Sequence, residues 1–376
     1  MVVTDVSAFN DERGRPVATG ATHSNGTTIY SVAERAGVSI ASVSRVLQGS
    51  TAVSAKTRQR VLEAAEELKY VPLAAARSLA VRHHEAHGLV LPELSGPYYS
   101  ELLMGFESRA ADLGQSVVLM LAEGKDNLPA AVRKLATRVD GLAMLGSAAI
   151  PESTVTALHG SKPVVLIAGD PRTDVDTVTS ENTHSAEELT SHVLGHGRRT
   201  LRFVGDPDSG PDVRDRYAGF LAAHSAAGLT AAEPLRISLR EADGTALADR
   251  ILSGDLTTDA LVCANDELAL ALIKRLREGG TRVPDDVAVV GWDDVMTARY
   301  IEPALTTVRQ PVRELGAQAA ERLHQRVTGG SVEAGPLVIP THLVLRSSCG
   351  CAPATAPTHR TEPRTPQSIP PPVHLP

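Results

Sequence analysis

The spacing of apolar positions changes once along the chain, near residue 85. Before that point three helices fit into a short span. The first carries Ile29, Val32, Ala33 and Ala36 at i, i+3, i+4 and i+7, with Thr28 placed to cap it and Gly37 to stop it. Ser39 caps a second helix, in which Val43, Val46 and Leu47 share a face. A third starts at Ser54 and is expected to bury Val61, Leu62, Ala65 and Leu68 before Pro72 forbids continuation. A short helical piece, Ala74 to Ala80, follows the proline with little apolar periodicity.

After residue 85 the texture becomes short apolar runs: Leu89–Leu91, Val117–Leu121, Leu142–Leu145, Val164–Ala168, Leu201–Val204, Leu261–Cys263 and Val287–Val290. Longer amphipathic stretches separate most of them, which is βαβ alternation and predicts parallel sheets covered on both faces. The stretch exceeds what one compact sheet needs, so two Rossmann-like lobes with a cleft between them are expected. The domain reading is a polar tail at 1–26, a helical unit at 27–72, a linker with its short helix at 73–84, an α/β unit at 85–350 and a Pro-rich tail at 351–376.

Composition is ordinary for a globular chain, at 42% hydrophobic and 22% charged. Its net charge of −7 argues against a nucleic-acid partner only while it is treated as uniform. It is not uniform: residues 27–84 carry a net +4 and residues 85–350 a net −11. A basic module joined to an acidic one suits a chain in which one part meets phosphate. No apolar run follows a basic start near Met1, and no run of about 18 apolar residues occurs. The expectation is a cytoplasmic, nucleoid-associated protein with no membrane contact.

The segment Thr28-Ile29-Tyr30-Ser31-Val32-Ala33-Glu34-Arg35-Ala36-Gly37-Val38-Ser39, followed by Ile40-Ala41-Ser42-Val43-Ser44-Arg45-Val46-Leu47, carries the reading to function. Gly37 permits a sharp turn, Val38 plugs the joint, and Ser39 satisfies amides at the start of the second helix. The outer face of that helix bears Ile40, Ala41, Ser44 and Arg45, short or basic residues that admit a helix to a major groove about 12 Å wide. The segment closely resembles the helix-turn-helix headpiece of the LacI/GalR family of bacterial repressors. The resemblance implies base contacts at Ile40, Ala41 and Arg45. It sets Thr28, Ser39, Ser42, Ser44 and Gln48 among the DNA-binding residues, near phosphates or flanking bases. Tyr70 to Ala80 resembles the family's hinge helix, with Leu79 at the position that wedges into the minor groove. Leu73 stands where the family usually has Asn.

The resemblance continues to residue 348 through Leu94-Ser95-Gly96-Pro97-Tyr98-Tyr99, Val139-Asp140-Gly141-Leu142, Gly195-His196-Gly197-Arg198-Arg199, Cys263-Ala264-Asn265-Asp266, Gly291-Trp292-Asp293-Asp294 and Leu305-Thr306-Thr307-Val308-Arg309-Gln310-Pro311. Most of these follow an apolar run, where ligands bind in open α/β sheets. The effector-binding candidates are therefore Tyr98, Tyr99, Asn265 and Asp293. The family's arginine before a Gly-aromatic pair adds Arg216. Aromatic faces with carboxylate, amide and guanidinium groups suit a polyhydroxylated ligand, so a sugar or sugar derivative is the expected effector. Plainer readings stand beside these: Tyr98 and Tyr99 as core aromatics, Asn265 as a turn-shaping residue, Asp294 as a helix cap.

The expected function is a dimeric, operator-binding transcriptional regulator, most simply a repressor, controlled by a small molecule and needing no cofactor. The alternative is a solute-binding protein of the periplasmic type without DNA function. An enzyme is not expected, because no Gly-x-Gly-x-x-Gly, phosphate loop, nucleophile elbow or His-Glu-x-x-His is present. His192 and His196 lie at i and i+4 with no third metal ligand evident, and Cys349-Gly-Cys351 lacks further ligands. Solvated histidines, reduced thiols and no metal site are the expectation.

Overall fold

The computed structural model describes residues 28–47, 52–70, 84–172, 175–330 and 335–352. They form two compact units, one on either side of the undescribed stretch 71–83, and each is taken by itself. Gln48, Leu79, the hinge segment Ala74–Ala80, the N-terminal tail and residues 353–376 lie outside the described residues.

The first unit is three helices, α1 (Ile29–Ala36), α2 (Ile40–Leu47) and α3 (Ala55–Glu67). The Thr28 hydroxyl accepts the Ser31 amide, and the Ser31 side chain answers the Thr28 amide, a reciprocal cap. Gly37 turns the chain at φ 63°, a left-handed conformation that favours glycine. Ser39 Oγ then accepts the Ser42 amide at 3.2 Å, and Ser54 Oγ caps α3 through Thr57 N at 3.3 Å. The core is Val32, Ala33, Ala36, Val43, Val46, Val61, Ala64 and Ala65, with Val38 packed at its edge. Leu62 corrects the sequence reading: it is 50% exposed. The stripe on α3 runs through positions 61, 64, 65 and 68, and residue 62 falls off that face.

The second unit has two lobes. The N-terminal lobe holds a six-stranded, wholly parallel sheet, in the order β10-β5-β4-β3-β1-β2. Its strands are β1 (Ala86–Leu91), β2 (Ser116–Leu121), β3 (Gly141–Leu145), β4 (Val164–Ile167), β5 (Asp176–Ser180) and β10 (Leu337–Ile339). Helices α4 (Pro97–Asp112), α5 (Leu128–Ala136), α6 (Glu152–His159) and α11 (Val312–Val327) belong to this lobe. The sheet is near-continuously apolar because both faces are covered: Leu89, Leu91 and Ile167 pack toward α4 and α11, Val90 and Met144 toward α5 and α6.

The C-terminal lobe builds on β6 (Leu201–Val204), β7 (Ala260–Cys263) and β8 (Ala288–Val290), a parallel three-stranded sheet, beside the antiparallel pair β9 (Thr307–Arg309) and β11 (His342–Val344). Helices α7 (Thr183–Gly195), α8 (Pro211–Ala226), α9 (Glu241–Leu252) and α10 (Asp266–Glu278) complete it. The chain crosses between lobes three times, from β5 to α7, from β9 to α11 and from β10 to β11.

All seven apolar runs are strands. Four strands lack such a run, β5, β9, β10 and β11, and of these β5, Asp176-Thr177-Val178-Thr179-Ser180, is polar in sequence yet almost wholly buried. Asp176 Oδ2 accepts Arg326 Nε at 2.5 Å, so the charge on this strand is matched from α11. Helices α4 and α11 touch through glycine. A Cβ on Gly105 would lie 1.9 Å from the Arg313 carbonyl oxygen, and one on Gly316 2.2 Å from that of Leu102. Among the described residues no helix is long and apolar enough to cross a membrane.

Candidate effector cleft and DNA-reading face

In the helical unit the outer side of α2 is open. Ser39, Ile40, Ala41 and Arg45 are exposed, and Ser42 and Ser44 are half-buried beside them. Thr28 is also exposed, at the start of α1. Ser39, Ile40, Ala41 and Arg45 thus share an uncovered face, while Val43 and Val46 bury the other. Sequence reasoning missed Arg60. Its guanidinium reaches from α3 to the carbonyl oxygens of Ala36 and Gly37, which fastens the turn that aims α2.

In the α/β unit a cleft of about 440 Å³ separates the lobes, within the range of small-molecule sites. Its walls come from strand ends: Pro92 to Tyr99 after β1, Ser147 after β3, Asp212 and Arg216 on α8, Asn265 after β7, and Asp293 after β8. All five sequence candidates, Tyr98, Tyr99, Arg216, Asn265 and Asp293, line it. Gln310, on the β9-to-α11 crossing, lines it too.

Arg216 is buried and already engaged. Its Nε donates to Asn182 Oδ1 at 2.8 Å and its Nη1 to the Ala264 carbonyl oxygen at 2.7 Å, while Nη2 lies 3.6 Å from Asp212 Oδ2. The guanidinium carbon sits 4.5 Å from the Trp292 ring centroid. Burial raises the Asp212 carboxyl above its usual range, against the pull of Arg216. The pairing of residues 212 and 216 at i, i+4 on one helix was a readable signal that had not been used. The Glu181 carboxylate accepts the amides of His184 and Ser185 at 2.6 and 3.0 Å at the start of α7.

Asp293 has φ 124°, a conformation that L side chains rarely adopt, and strain of this kind collects at ligand sites. Burial pushes its carboxyl up to about 8, with Arg216 and the Gln310 amide pulling down and Asp266 and Asp212 pushing up. Gln310 Nε2 donates to Asp293 Oδ1 at 2.5 Å, and Gln310 Oε1, also buried, has no partner. That free acceptor and the raised carboxyl beside it present acceptor and donor capacity together, which a ligand hydroxyl can use. Tyr98 and Tyr99 meet edge to face, with ring centroids 5.4 Å apart. Burial raises both phenols, Tyr99 to about 12, so both stay neutral donors.

Asn265 fits its plainer, turn-shaping reading, and Asp294 departs from the helix-cap reading. Asn265 caps α10 through Leu268 N at 3.0 Å and donates to the Leu239 carbonyl oxygen at 3.0 Å, so the turn uses both ends of its amide. Asp294 caps no helix. It is buried between Arg309 and Arg346, at 2.6 and 2.5 Å, and pins the segment after β8 to β9 and to the chain following β11. Across the cleft mouth, Arg240 of the C-terminal lobe pairs with Glu93 and Glu123 of the other lobe at 3.6 and 3.2 Å, and Arg214 pairs with Asp170 at 2.7 Å.

Residues 28–72 match the family of bacterial regulatory proteins of the lacI type, and residues 190–349 match a periplasmic binding protein-like domain. The transcriptional repressor PurR of Pasteurella multocida is 30% identical over 330 residues, spanning 85% of this chain and 98% of its own. The chain belongs to the LacI family. Among solved structures, the lac repressor dimer bound to operator and the anti-inducer ONPF superposes with a TM-score of 0.78 at 28% identity, covering 86% of this chain and 99% of that one. A complex of the transcriptional regulator CelR with cellobiose gives 0.65 at 30% identity over 86% and 99%. This LacI-family chain is thus a transcriptional regulator with an α/β effector-binding domain.

Proposed function

We propose that this LacI-family regulator is a cytoplasmic repressor that binds a near-palindromic operator as a homodimer. Ile40, Ala41 and Arg45 read bases, and Thr28, Ser39, Ser42, Ser44 and Gln48 hold phosphates or flanking positions, with Leu79 wedged in the minor groove. The bidentate fork of Arg45 suits the O6 and N7 of a guanine. A carbohydrate or carbohydrate derivative is the effector, bound by Tyr98, Tyr99, Arg216, Asn265, Asp293 and Gln310. The observation that carries the ligand class is the Asp293–Gln310 pair, where a carboxyl poised near neutrality adjoins an unpartnered amide oxygen. A hydroxyl needs both a donor and an acceptor once buried, and this pair supplies both.

Switching follows from lobe closure. A ligand gripped from both walls favours the closed arrangement by its differential affinity for it, and the closure moves one N-terminal lobe of the dimer against the other. Footprinting on the DNA upstream of its own reading frame at two salt concentrations, with Arg45→Ala alongside, tests the DNA reading. Protection of a short near-palindrome that weakens steeply with salt and disappears in the variant supports it. A thermal-shift panel of sugars, purines and amino acids tests the ligand class, and a shift with purines or amino acids alone refutes the carbohydrate.

A further inference from the structure

The geometry points to a zinc site at the far side of the C-terminal lobe, held by His192 and His196 on α7 and by Cys349 and Cys351 beyond β11. The histidine pair and the cysteine pair lie more than 150 positions apart in sequence, yet one ligand atom from each of the four residues falls within 4.8 Å of every other. His192 Nε2 is 3.2 Å from His196 Nε2, 3.5 Å from Cys349 Sγ and 3.3 Å from Cys351 Sγ, and Cys351 Sγ is 3.4 Å from His196 Nε2. An ion with bonds of about 2.3 Å to sulfur and about 2.05 Å to nitrogen sets tetrahedral edges of about 3.3 Å between nitrogens and about 3.6 Å between nitrogen and sulfur. These four edges sit at or just inside those lengths, and the other two lie within 4.8 Å, so binding the ion would draw Cys349 slightly inward.

Hydrogen bonding alone does not account for the cluster. His192 Nε2 has three neighbours within reach, whereas a neutral imidazole nitrogen makes one such bond, as donor or as acceptor. A shared cation satisfies all four atoms at once. The local chain is shaped for convergence. Gly350 has φ 108°, a conformation that glycine adopts freely, so the two cysteines either side of it turn toward the same point. The Thr306 hydroxyl lies 3.1 Å from Cys349 Sγ and supplies the outer hydrogen bond that thiolate ligands take.

Two thiolates and two imidazoles with no open position make a structural site selective for a soft, tetrahedral ion, zinc among the available divalent metals. On binding, the protons of Cys349 and Cys351 pass to solvent and the imidazoles bind neutral, so the occupied site carries no net charge. The ion ties the last turn of α7 to the chain end that also anchors Asp294 through Arg346. It is a clasp on the effector-binding lobe, distant in chemistry from the cleft.

The test uses the full-length chain, purified under reductant, stripped by a strong chelator and titrated with cobalt chloride and then zinc chloride. One cobalt per chain with the intense visible bands of tetrahedral thiolate coordination, bleached by one equivalent of zinc, is the expected result. Cys351→Ser and His196→Gln, at positions that are half-buried and exposed, are each expected to weaken zinc at least tenfold with an unchanged far-UV spectrum. The loss of zinc should also lower the thermal midpoint of the parent protein but not of the variants. A weak spectrum of octahedral cobalt, full cobalt signal in both variants, or protein that leaves the cell with Cys349 and Cys351 joined as a disulfide and free of zinc would each overturn the proposal.

Discussion

Replacing Asp293 by Asn keeps the shape and the Gln310 contact while removing a charge that burial opposes. The carboxyl is raised from 3.8 to about 8 in the folded chain, chiefly by desolvation. Below about pH 4 it is protonated folded and unfolded alike, and its contribution is fully present. Between about pH 4 and pH 8 only the folded state keeps the proton, so stability falls by about 1.4 kcal/mol per pH unit, and above pH 8 it levels off. From pH 6 to pH 9 the wild type therefore loses ~3 kcal/mol through this residue, and Asp293→Asn loses nothing through it. Urea unfolding of both proteins at the two pH values reads this difference directly. In melting curves it corresponds to roughly 5–10 °C, given ~2–4 °C per kcal/mol for a unit of this size. The same substitution should cost effector affinity about 2- to 10-fold near neutral pH, the worth of one hydrogen bond to a neutral group. A wild-type-minus-variant stability difference that does not change between pH 6 and pH 9 would refute the reasoning, because a raised carboxyl must couple stability to protons.

Arg45→Ala should weaken operator binding by ~1–3 kcal/mol and relax preference at one base pair, read by quantitative footprinting on operator variants. Arg216→Ala leaves the half-buried Asp212 without its cation and strips the bonds to Asn182 and Ala264, and should destabilise the chain by ~2–4 kcal/mol in urea unfolding, whereas a loss below about 1 kcal/mol would mean water replaces the guanidinium. Gly316→Ala must separate α11 from α4, since its Cβ would meet backbone at 2.2 Å; a midpoint lowered by several degrees is expected, against none for Gly114→Ala at an open turn, once the ~1 kcal/mol cost of that residue's positive φ is allowed for. Arg240→Ala removes solvent-screened surface ion pairs, so stability should hardly move while effector dissociation accelerates in stopped flow.

Apolar periodicity carried the fold because both kinds of regular burial leave a trace. The headpiece helices bury one stripe each, and the inner strands of a doubly covered sheet are apolar throughout. Strand β5 escaped because its neighbours supply its polarity: Arg326 matches Asp176, and the sheet absorbs Thr177 and Thr179. Leu62 was misplaced by one position on a helix, which is enough to move a side chain from core to solvent. The cleft residues were legible as residues that follow strands, but their partners were not. Gln310 and Asp294 take their roles from loops that the crossings bring together, and no local pattern records that. The histidine and cysteine pairs were each visible as spacing, i+4 and i+2, and only the return of the chain from β10 to β11 makes them one group.

Those crossings also govern how the chain is made. The six-stranded sheet receives its last strand, Leu337–Ile339, and its covering helix, Val312–Val327, only after the whole C-terminal lobe except β11 has been synthesised. Until then Leu89, Leu91, Phe106 and Ile167 lack the helix that buries them, although they leave the ribosome early. A nascent chain of this architecture carries an unfinished apolar face for most of its synthesis, and contacts of such long sequence separation form slowly. The lobe that comes first in sequence closes only after most of the second has been made, so a truncation before residue 337 strikes the N-terminal core.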